Sequence, residues 1–599
     1  MHTGSWMIPP VRLAGDIPQD GFGEVVWQLS HRWRVTHRLA VLPVAAAAGS
    51  LAHIDEKSAP TMEFQPVTPD LDIPNVSLSE FVFGGLSEDE AGQVAVIHDA
   101  TDTRLTFGQV RDHAMAFATW LAGQGIGPGD VVTLVLPNSP EFITAFQGIV
   151  RSGAAASAAS IAYQVRETAH VLKVAGAGRV VTEVGNLAKV LDAATRVGLT
   201  PGDIIVAGPG GREAAIAGGH TAYDDVLATP ADPPTLDIDP ATHVAALPMS
   251  MGYTGLPKAV ELSHRNIIAN VLQFPVYCEP IPPGSRLLGV VPMSHGYGIT
   301  ALANFGLRRR FPVLTMPAFS PVPFLDLVRT HRPTVLFIVP GIASFLANDP
   351  SVDTVDWSCA DLAISGASSM DPAVAEALVD RIGCDLVCGW GMTEMSPIAS
   401  FRPRWRTDID QTVVGMPVPN VRTRVVDPAT GQDVVVPETG ESAPGEMWCT
   451  GDSVMLRFHN EPEATARMLD ADGWLHTGDL VTVDREGCMR IVGRCKELIK
   501  SRGLQISPAE IEAVLREHPA VADAAVYPVA IAGSPGDEAP YALIQLKPGV
   551  TAKPFDFIRH VGSELAKYKQ LKSVVFVDSI PRDTAGQIRR DELAGWASR

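Results

Sequence analysis

The chain has 599 residues, 46% of them apolar and 19% charged, with 47 lysines and arginines against 67 aspartates and glutamates and a formal net charge of −20. That length exceeds what one hydrophobic core organises and predicts several domains, while the acidic balance excludes a nucleic-acid surface, which needs clustered cations. Seven scattered cysteines, with only Cys384 and Cys388 close together, exclude a disulfide or zinc framework and read as reduced thiols.

Residues 1–61 differ in texture from the rest. They mix Trp6, Pro9, Pro10, Gly21 and Gly23 with the basic residues Arg32, Arg34 and Arg38 ahead of an Ala-rich run. The segment reads either as upstream translation before a start at Met62 or as a weakly ordered extension, and no function is assigned to it. No run reaches the roughly 18 apolar residues of a membrane span. Leu39 to Ala48 contains Pro43 and lies too deep for an ordinary signal peptide, and Val335 to Ala347 is broken by Pro340, Gly341 and Ser344. A cytoplasmic location, with neither membrane nor nucleic acid as partner, is expected.

From about residue 90 to 490, short apolar strands alternate with helical runs, as at Val131 to Leu136 before Pro140 and Val335 to Val339 before Pro340. The pattern predicts α/β layers with largely parallel sheets, and 48 prolines and 53 glycines suit many tight loops between them. The last hundred residues predict a separate small α+β unit. Ser507-Pro508-Ala509-Glu510 reads as a capping box with proline at the first helical position, opening a helix to about Glu517. Strands are expected at Ala524 to Val529, Ala542 to Leu546 and Val574 to Val577. The joint falls at the polar link Gly493-Arg494-Cys495-Lys496. The expected division is an extension at 1–61, a large N-terminal domain at 62–495 and a small, mobile C-terminal domain at 496–599.

Seven segments carry the chemistry. Ser250-Met251-Gly252-Tyr253-Thr254-Gly255-Leu256-Pro257-Lys258-Ala259 follows the apolar strand Val244 to Leu247, as a phosphate-cradling loop would. Val291-Pro292-Met293-Ser294-His295-Gly296-Tyr297-Gly298 places a histidine between small residues, and Ser365-Gly366-Ala367-Ser368-Ser369 is a second small-residue loop. Gly389-Trp390-Gly391-Met392-Thr393-Glu394 combines an aromatic, a hydroxyl and a carboxylate. Gly473-Trp474-Leu475-His476-Thr477-Gly478-Asp479 ends in a carboxylate, whose natural partner is a vicinal diol. Lys496 to Glu510 contains Lys500 and Gly503, and Pro581-Arg582-Asp583-Thr584-Ala585-Gly586-Gln587-Ile588-Arg589-Arg590 closes the series.

In order and spacing, from about residue 85 to 593, these segments resemble the adenylate-forming (ANL) superfamily, most of all its coumarate–CoA and fatty acyl-CoA ligase branch. The resemblance implies that Ser250, Thr254 and Lys258 belong to the loop around the ATP phosphates. It places Gly366, Ala367 and Ser368 along the adenine and acyl sites. Trp390, between Gly389 and Gly391, stacks on adenine; Met392 and Thr393 line the α-phosphate; Glu394 helps hold magnesium. Asp479 and Arg494 contact the ribose, and His295 borders the acyl carboxylate and the thiol tunnel, either assisting thiol deprotonation or gating the channel. Lys496 is the hinge of the C-terminal domain, and Gly503 lies against the pantetheine tunnel, where a missing side chain permits close approach.

Two departures stand out. The last signature of the family reads roughly Pro-Arg/Lys-x-x-Ser-Gly-Lys-Ile-x-Arg, with a lysine that helps make the acyl-adenylate, and Gln587 replaces that lysine. Glutamine donates a hydrogen bond but brings no charge to a transition state that concentrates negative charge. In the phosphate loop, Met251 and Tyr253 replace small hydroxylated residues and Ala259 replaces a glycine. The expected enzyme therefore catalyses thioesterification only. It takes a preformed acyl-adenylate from a separate adenylating enzyme and coenzyme A as co-substrate, and it leaves the need for ATP and magnesium open. A complete ATP-dependent synthetase, with Arg589 standing in for the lysine, stays open, as do a laboratory replacement at Gln587 and a non-catalytic adenylate-binding protein. Gly296, Gly298, Ala301, Ala303, Gly341, Gly366 and Gly389 either line a roomy apolar acyl pocket or serve close backbone packing.

Overall fold

The computed structural model describes residues 62–599 apart from 251–255, 368–369, 495–497, 503, 532–533, 535–536, 582–587 and 597–599. Local rules start the α/β units as expected. Strand Val131–Val135, buried throughout, runs into helix Pro140–Ser152, whose N-cap Ser139 accepts from the Phe142 N–H and whose first turn holds Pro140. Gly153 then ends the helix in the left-handed conformation. The same unit recurs at strand Val335–Ile338 and helix Pro340–Asn348.

These units assemble two large sheets. One runs, edge to edge, through Met416–Pro417, Ile398–Phe401, Asp385–Gly391, Leu362–Ser365, Val335–Ile338, Leu287–Gly289, Val313–Thr315, Val94–His98 and Thr103–Thr106. Its central pairings are parallel, with antiparallel strands at both edges. The other is built around the parallel strands Ala155–Ala158, Val131–Val135, Arg179–Glu183 and Ile204–Ala207. One apolar core joins the layers, from Phe117 and Phe146 through Phe274, Phe305 and Phe337 to Phe401.

The region from 421 to 494 departs from the predicted alternation. Val421–Val426, Gly445–Gly451, Leu475–Val483 and Met489–Arg494 form a four-stranded antiparallel sheet without intervening crossover helices between its last two strands. Gly493 and Arg494 therefore belong to a strand, and the backbone of Arg494 pairs with Asp479. Of the polar joint expected at 493–496, Gly493 and Arg494 are strand residues, and residues 495–497, with Lys496, expected as the hinge, lie outside the described residues.

The C-terminal part is α+β as expected. Strands Val521–Ala530, Glu538–Leu546 and Ser573–Phe576 form one sheet, and helices Pro508–Glu517 and Pro554–Glu564 share its core through Ile511, Val514, Leu515, Phe557 and Val561. The capping box at Ser507 does not form: Pro508 opens the helix, but the Ser507 side chain makes no cap hydrogen bond. Glu510 is drawn away instead. Its Oε1 accepts from Lys569 Nζ at 2.9 Å, and Lys569 also donates to Glu167 Oε1 at 2.6 Å. The ammonium is fully buried, with the Tyr163 and Tyr568 rings at 4.8 and 5.5 Å. Burial alone would lower the Lys569 pKa, but Tyr163, Glu510 and Glu167 outweigh it and hold it above its usual value. Glu167 belongs to helix Val165–Ala175, so this charge cluster ties the large part to the small one. Beside it, Arg166 forms a bidentate pair with Glu517.

Among the described residues no helix is long and apolar enough to cross a membrane. The six described cysteines are unpaired with one another, and burial pushes the thiols of Cys384 and Cys388 up to about 12, which leaves them protonated and unreactive at neutral pH.

Candidate active site

Parallel strands send their carboxyl ends to the same edge of a sheet, and in open α/β sheets the loops at that edge form the ligand crevice. Here Leu287–Gly289, Val335–Ile338, Leu362–Ser365 and Asp385–Gly391 are neighbours in one sheet and mutually parallel. They lead, respectively, into the His295 loop, Gly341, the Gly366–Ala367 loop and the Gly389–Glu394 segment. Four segments found separately in the sequence thus converge for one topological reason.

Trp390 is the centre of this convergence. It is 6% exposed, and its indole Nε1–H donates to Asp479 Oδ2 at 2.8 Å; Asp479 is 4% exposed. The two glycines beside it fix its backbone. A Cβ on Gly389 would meet the Phe401 ring at 2.3 Å, and one on Gly391 would meet the Pro397 carbonyl oxygen at 2.0 Å. Met392 closes this tight turn by donating its N–H to the Pro397 carbonyl at 2.8 Å. Thr393 opens the short turn Thr393–Met395, which carries Glu394 into the interior.

Glu394 is 1% exposed, and its Oε1 accepts from Ser250 Oγ at 2.5 Å. Ser250 in turn pairs through its backbone with Lys258, at the other end of the 250–259 segment. The structure so connects the first and fourth segments through a hydroxyl–carboxylate contact that sequence reading missed. Glu394 is a single carboxylate here; among the described residues no group of three His, Cys, Asp or Glu side chains could hold a metal. A magnesium ion would fit Glu394 as one ligand shared with substrate phosphates. Thr254, with Met251 and Tyr253, lies outside the described residues, as do Ser368, Gly503 and Gln587.

His295 is exposed to solvent. Partial desolvation lowers its pKa below the usual value, so the ring is neutral at physiological pH and able to accept a proton. Tyr297, two residues on, donates its hydroxyl to the Ile364 carbonyl at 3.0 Å and packs edge-on against Phe337. The 291–298 segment contains it, but only the packing against Phe337 and Ile364 shows that it joins this segment to the neighbouring strands.

The small residues divide into two groups. A Cβ on Gly298 would lie 2.3 Å from the Pro292 carbonyl oxygen, and Ala301 and Ala303 are fully buried in the core. With Gly389, these serve close packing. Gly341 has nothing within 4 Å of an added Cβ, and Gly366 only ordinary contacts, including Tyr297 Cε1 at 4.0 Å. Gly389→Ala should therefore cost about 1–3 kcal/mol by overpacking against Phe401, whereas Gly341→Ala should leave stability within about 0.5 kcal/mol. Thermal melts of the two variants check this contrast.

The two arginines after Gln587 are committed elsewhere. Arg590 donates to Glu512 Oε1 at 2.7 Å, Glu512 Oε2 at 3.2 Å and the Val526 carbonyl at 2.7 Å. Arg589 pairs with Glu592 at 2.5 Å on a half-exposed surface.

A family model described as AMP-binding enzyme matches residues 87–459, and one described as AMP-binding enzyme C-terminal domain matches residues 510–587. The chain is 34% identical to 4-coumarate–CoA ligase 5 of Oryza sativa subsp. japonica over 538 residues, 88% of this chain and 96% of that one. It is 32% identical to the 4-coumarate–CoA ligase of Vanilla planifolia, over 88% of this chain and 95% of the relative. Its fold matches that of the amide bond synthetase McbA of Marinactinospora thermotolerans with a TM-score of 0.75 at 25% identity, covering 87% of this chain and 99% of that one. With both modules present in order and the crevice assembled from their signature segments, the chain belongs to the AMP-binding enzymes of the adenylate-forming (ANL) superfamily, in the acyl-CoA synthetase and 4-coumarate–CoA ligase branch.

Proposed function

We propose that this enzyme catalyses thioesterification alone, transferring the acyl group of a preformed acyl-adenylate to coenzyme A with release of AMP. The observation that carries the reading is Gln587 at the position of the adenylating lysine. Its weight comes from the neighbouring cations: Arg590 is held by Glu512 and Arg589 by Glu592, so neither is poised to replace the missing charge. Loss of one preorganised charge contact to a phosphoryl-transfer transition state costs about 3 kcal/mol, or about 10²-fold in rate.

In this mechanism Trp390 and Asp479 bind the nucleotide half of the adenylate, and Thr393 and Lys258 face its phosphate. The thiol sulfur of coenzyme A attacks the acyl carbonyl; the new carbon–sulfur bond forms as the bond to the phosphate oxygen breaks and AMP leaves. His295, neutral at physiological pH, takes the thiol proton. The small domain, 496–599, swings about Lys496 to bring Gly503 to the thiol tunnel. ATP is not consumed in this half-reaction, and a separate adenylating enzyme supplies the substrate. The open ground at Gly341 and Gly366 favours a bulky apolar acid. Such a division of labour resembles the non-adenylating acyl-CoA ligase of platensimycin and platencin biosynthesis, which points to a diterpenoid-like acid.

The test supplies free acid with ATP, or synthetic acyl-adenylate without ATP, each with coenzyme A. Product from the adenylate alone is expected. Product from both identifies a complete synthetase, and product from neither a binding protein. Gln587→Lys should then create measurable pyrophosphate release while leaving acyl-CoA formation from the adenylate within about twofold, since the missing charge acts on phosphoryl transfer only. Robust pyrophosphate release by the unaltered enzyme would sink the proposal.

A further inference from the structure

Among the buried polar groups of the crevice, one contact joins two sheets across 89 positions of sequence: the indole of Trp390 and the carboxylate of Asp479. We propose that Trp390 is the positioning residue of the ribose acceptor: its N–H fixes the Asp479 carboxylate in the orientation that receives the vicinal hydroxyls, so that Trp390 sets the preference for a ribonucleotide over a deoxynucleotide. The inference rests on the nucleotide site proposed above and extends it from covering the base to aligning its neighbour.

Three features carry it. A carboxylate turns freely about its last torsion, which has broad, two-fold preferences, unless a partner holds it. Trp390 is a donor only, because an indole has one N–H and no lone pair to offer, so its contact with Asp479 has a single sense. A hydrogen bond to an ionised acceptor in a water-poor site is also stronger than a neutral one; Trp390 and Asp479 are 6% and 4% exposed.

The donor itself cannot drift. Gly389 and Gly391 press the backbone on either side of Trp390 against Phe401 and Pro397, at 2.3 and 2.0 Å from where a Cβ would stand. On the other side, Asp479 is anchored in the antiparallel ladder opposite Arg494, with its N–H donating to Thr477 Oγ1 at 3.2 Å. Both partners are thus held by rigid strands, the arrangement that preorganised recognition requires. Phenylalanine at position 390 would keep an aromatic face for the base and lose only the donor.

Titration calorimetry with AMP and with 2′,3′-dideoxy-AMP on the full chain, for wild type and Trp390→Phe, tests the idea. The variant should bind AMP about tenfold more weakly and dideoxy-AMP within about twofold of wild type, the scale of one lost hydrogen bond to a charged group. With acyl-adenylate as substrate, KM should rise while kcat changes little. Equal losses on both nucleotides would reduce Trp390 to a cover for the base and overturn the proposal. In the wild type, which avoids any folding defect of the variant, the Trp390 indole proton should stay protected from solvent exchange with AMP bound; faster exchange would mean that the ribose displaces it and would also overturn the proposal. A wild type that binds neither nucleotide overturns the site reading and this inference together.

Discussion

Lys569→Met is expected to destabilise the protein by about 3–5 kcal/mol, because it strips the cation from two buried carboxylates and leaves them uncompensated. Glu167 and Glu510 are 5% and 3% exposed, and among the described residues Glu510 Oε2 already lacks a hydrogen-bond partner. Burial raises the Glu510 pKa even with the lysine present, so the variant should shed part of the cost by protonating that carboxylate. The sign follows: a carboxyl whose folded pKa is raised is favoured protonated in the folded state, so the variant should recover stability as pH falls toward that pKa. Glu167→Gln should cost less, since Lys569 keeps Glu510 inside the small part. Denaturant unfolding of both variants between pH 5 and 8 reads the difference, and a Lys569→Met midpoint equal to wild type would show that the cluster contributes nothing net.

Asp479→Ala has the second large effect. It removes the acceptor of the Trp390 indole and, on the proposed function, the acceptor of the ribose. Each loss concerns a buried hydrogen bond to a charged group, about 1.5–3 kcal/mol, so AMP affinity should fall at least tenfold. Fold stability should fall too, by about 1–3 kcal/mol for the unpaired indole N–H. Measuring AMP binding by calorimetry and stability by thermal melting separates the two. A variant that melts like wild type but binds AMP normally would remove Asp479 from the site.

Much of the fold, and the segments that meet at the candidate site, were legible in the sequence because their parts are local. The loops after apolar strands, the Trp390 and Asp479 motifs and the proline-led helices at Pro140, Pro340 and Pro508 each depend on a few consecutive residues with defined backbone preferences. The antiparallel sheet from 421 to 494 escaped notice because alternating strands of mixed burial, as in Val421–Val426, do not announce their partners.

Partner choice is what only the tertiary structure decided. Glu510 sits where a capping box would use it, yet it bonds Lys569, 59 residues away, because a buried ammonium demands a carboxylate more strongly than an N-cap does. Arg590, near the end of the chain, is held by Glu512, 78 residues back. Gly389 and Gly366 look alike in sequence, and only the Phe401 ring beside one and the ordinary contacts around the other show which of them tolerates no side chain. The sequence by itself determined which chemical groups are present and in what order. Packing across long separations determined which of them meet, since contact and burial depend on the whole fold and leave no local trace.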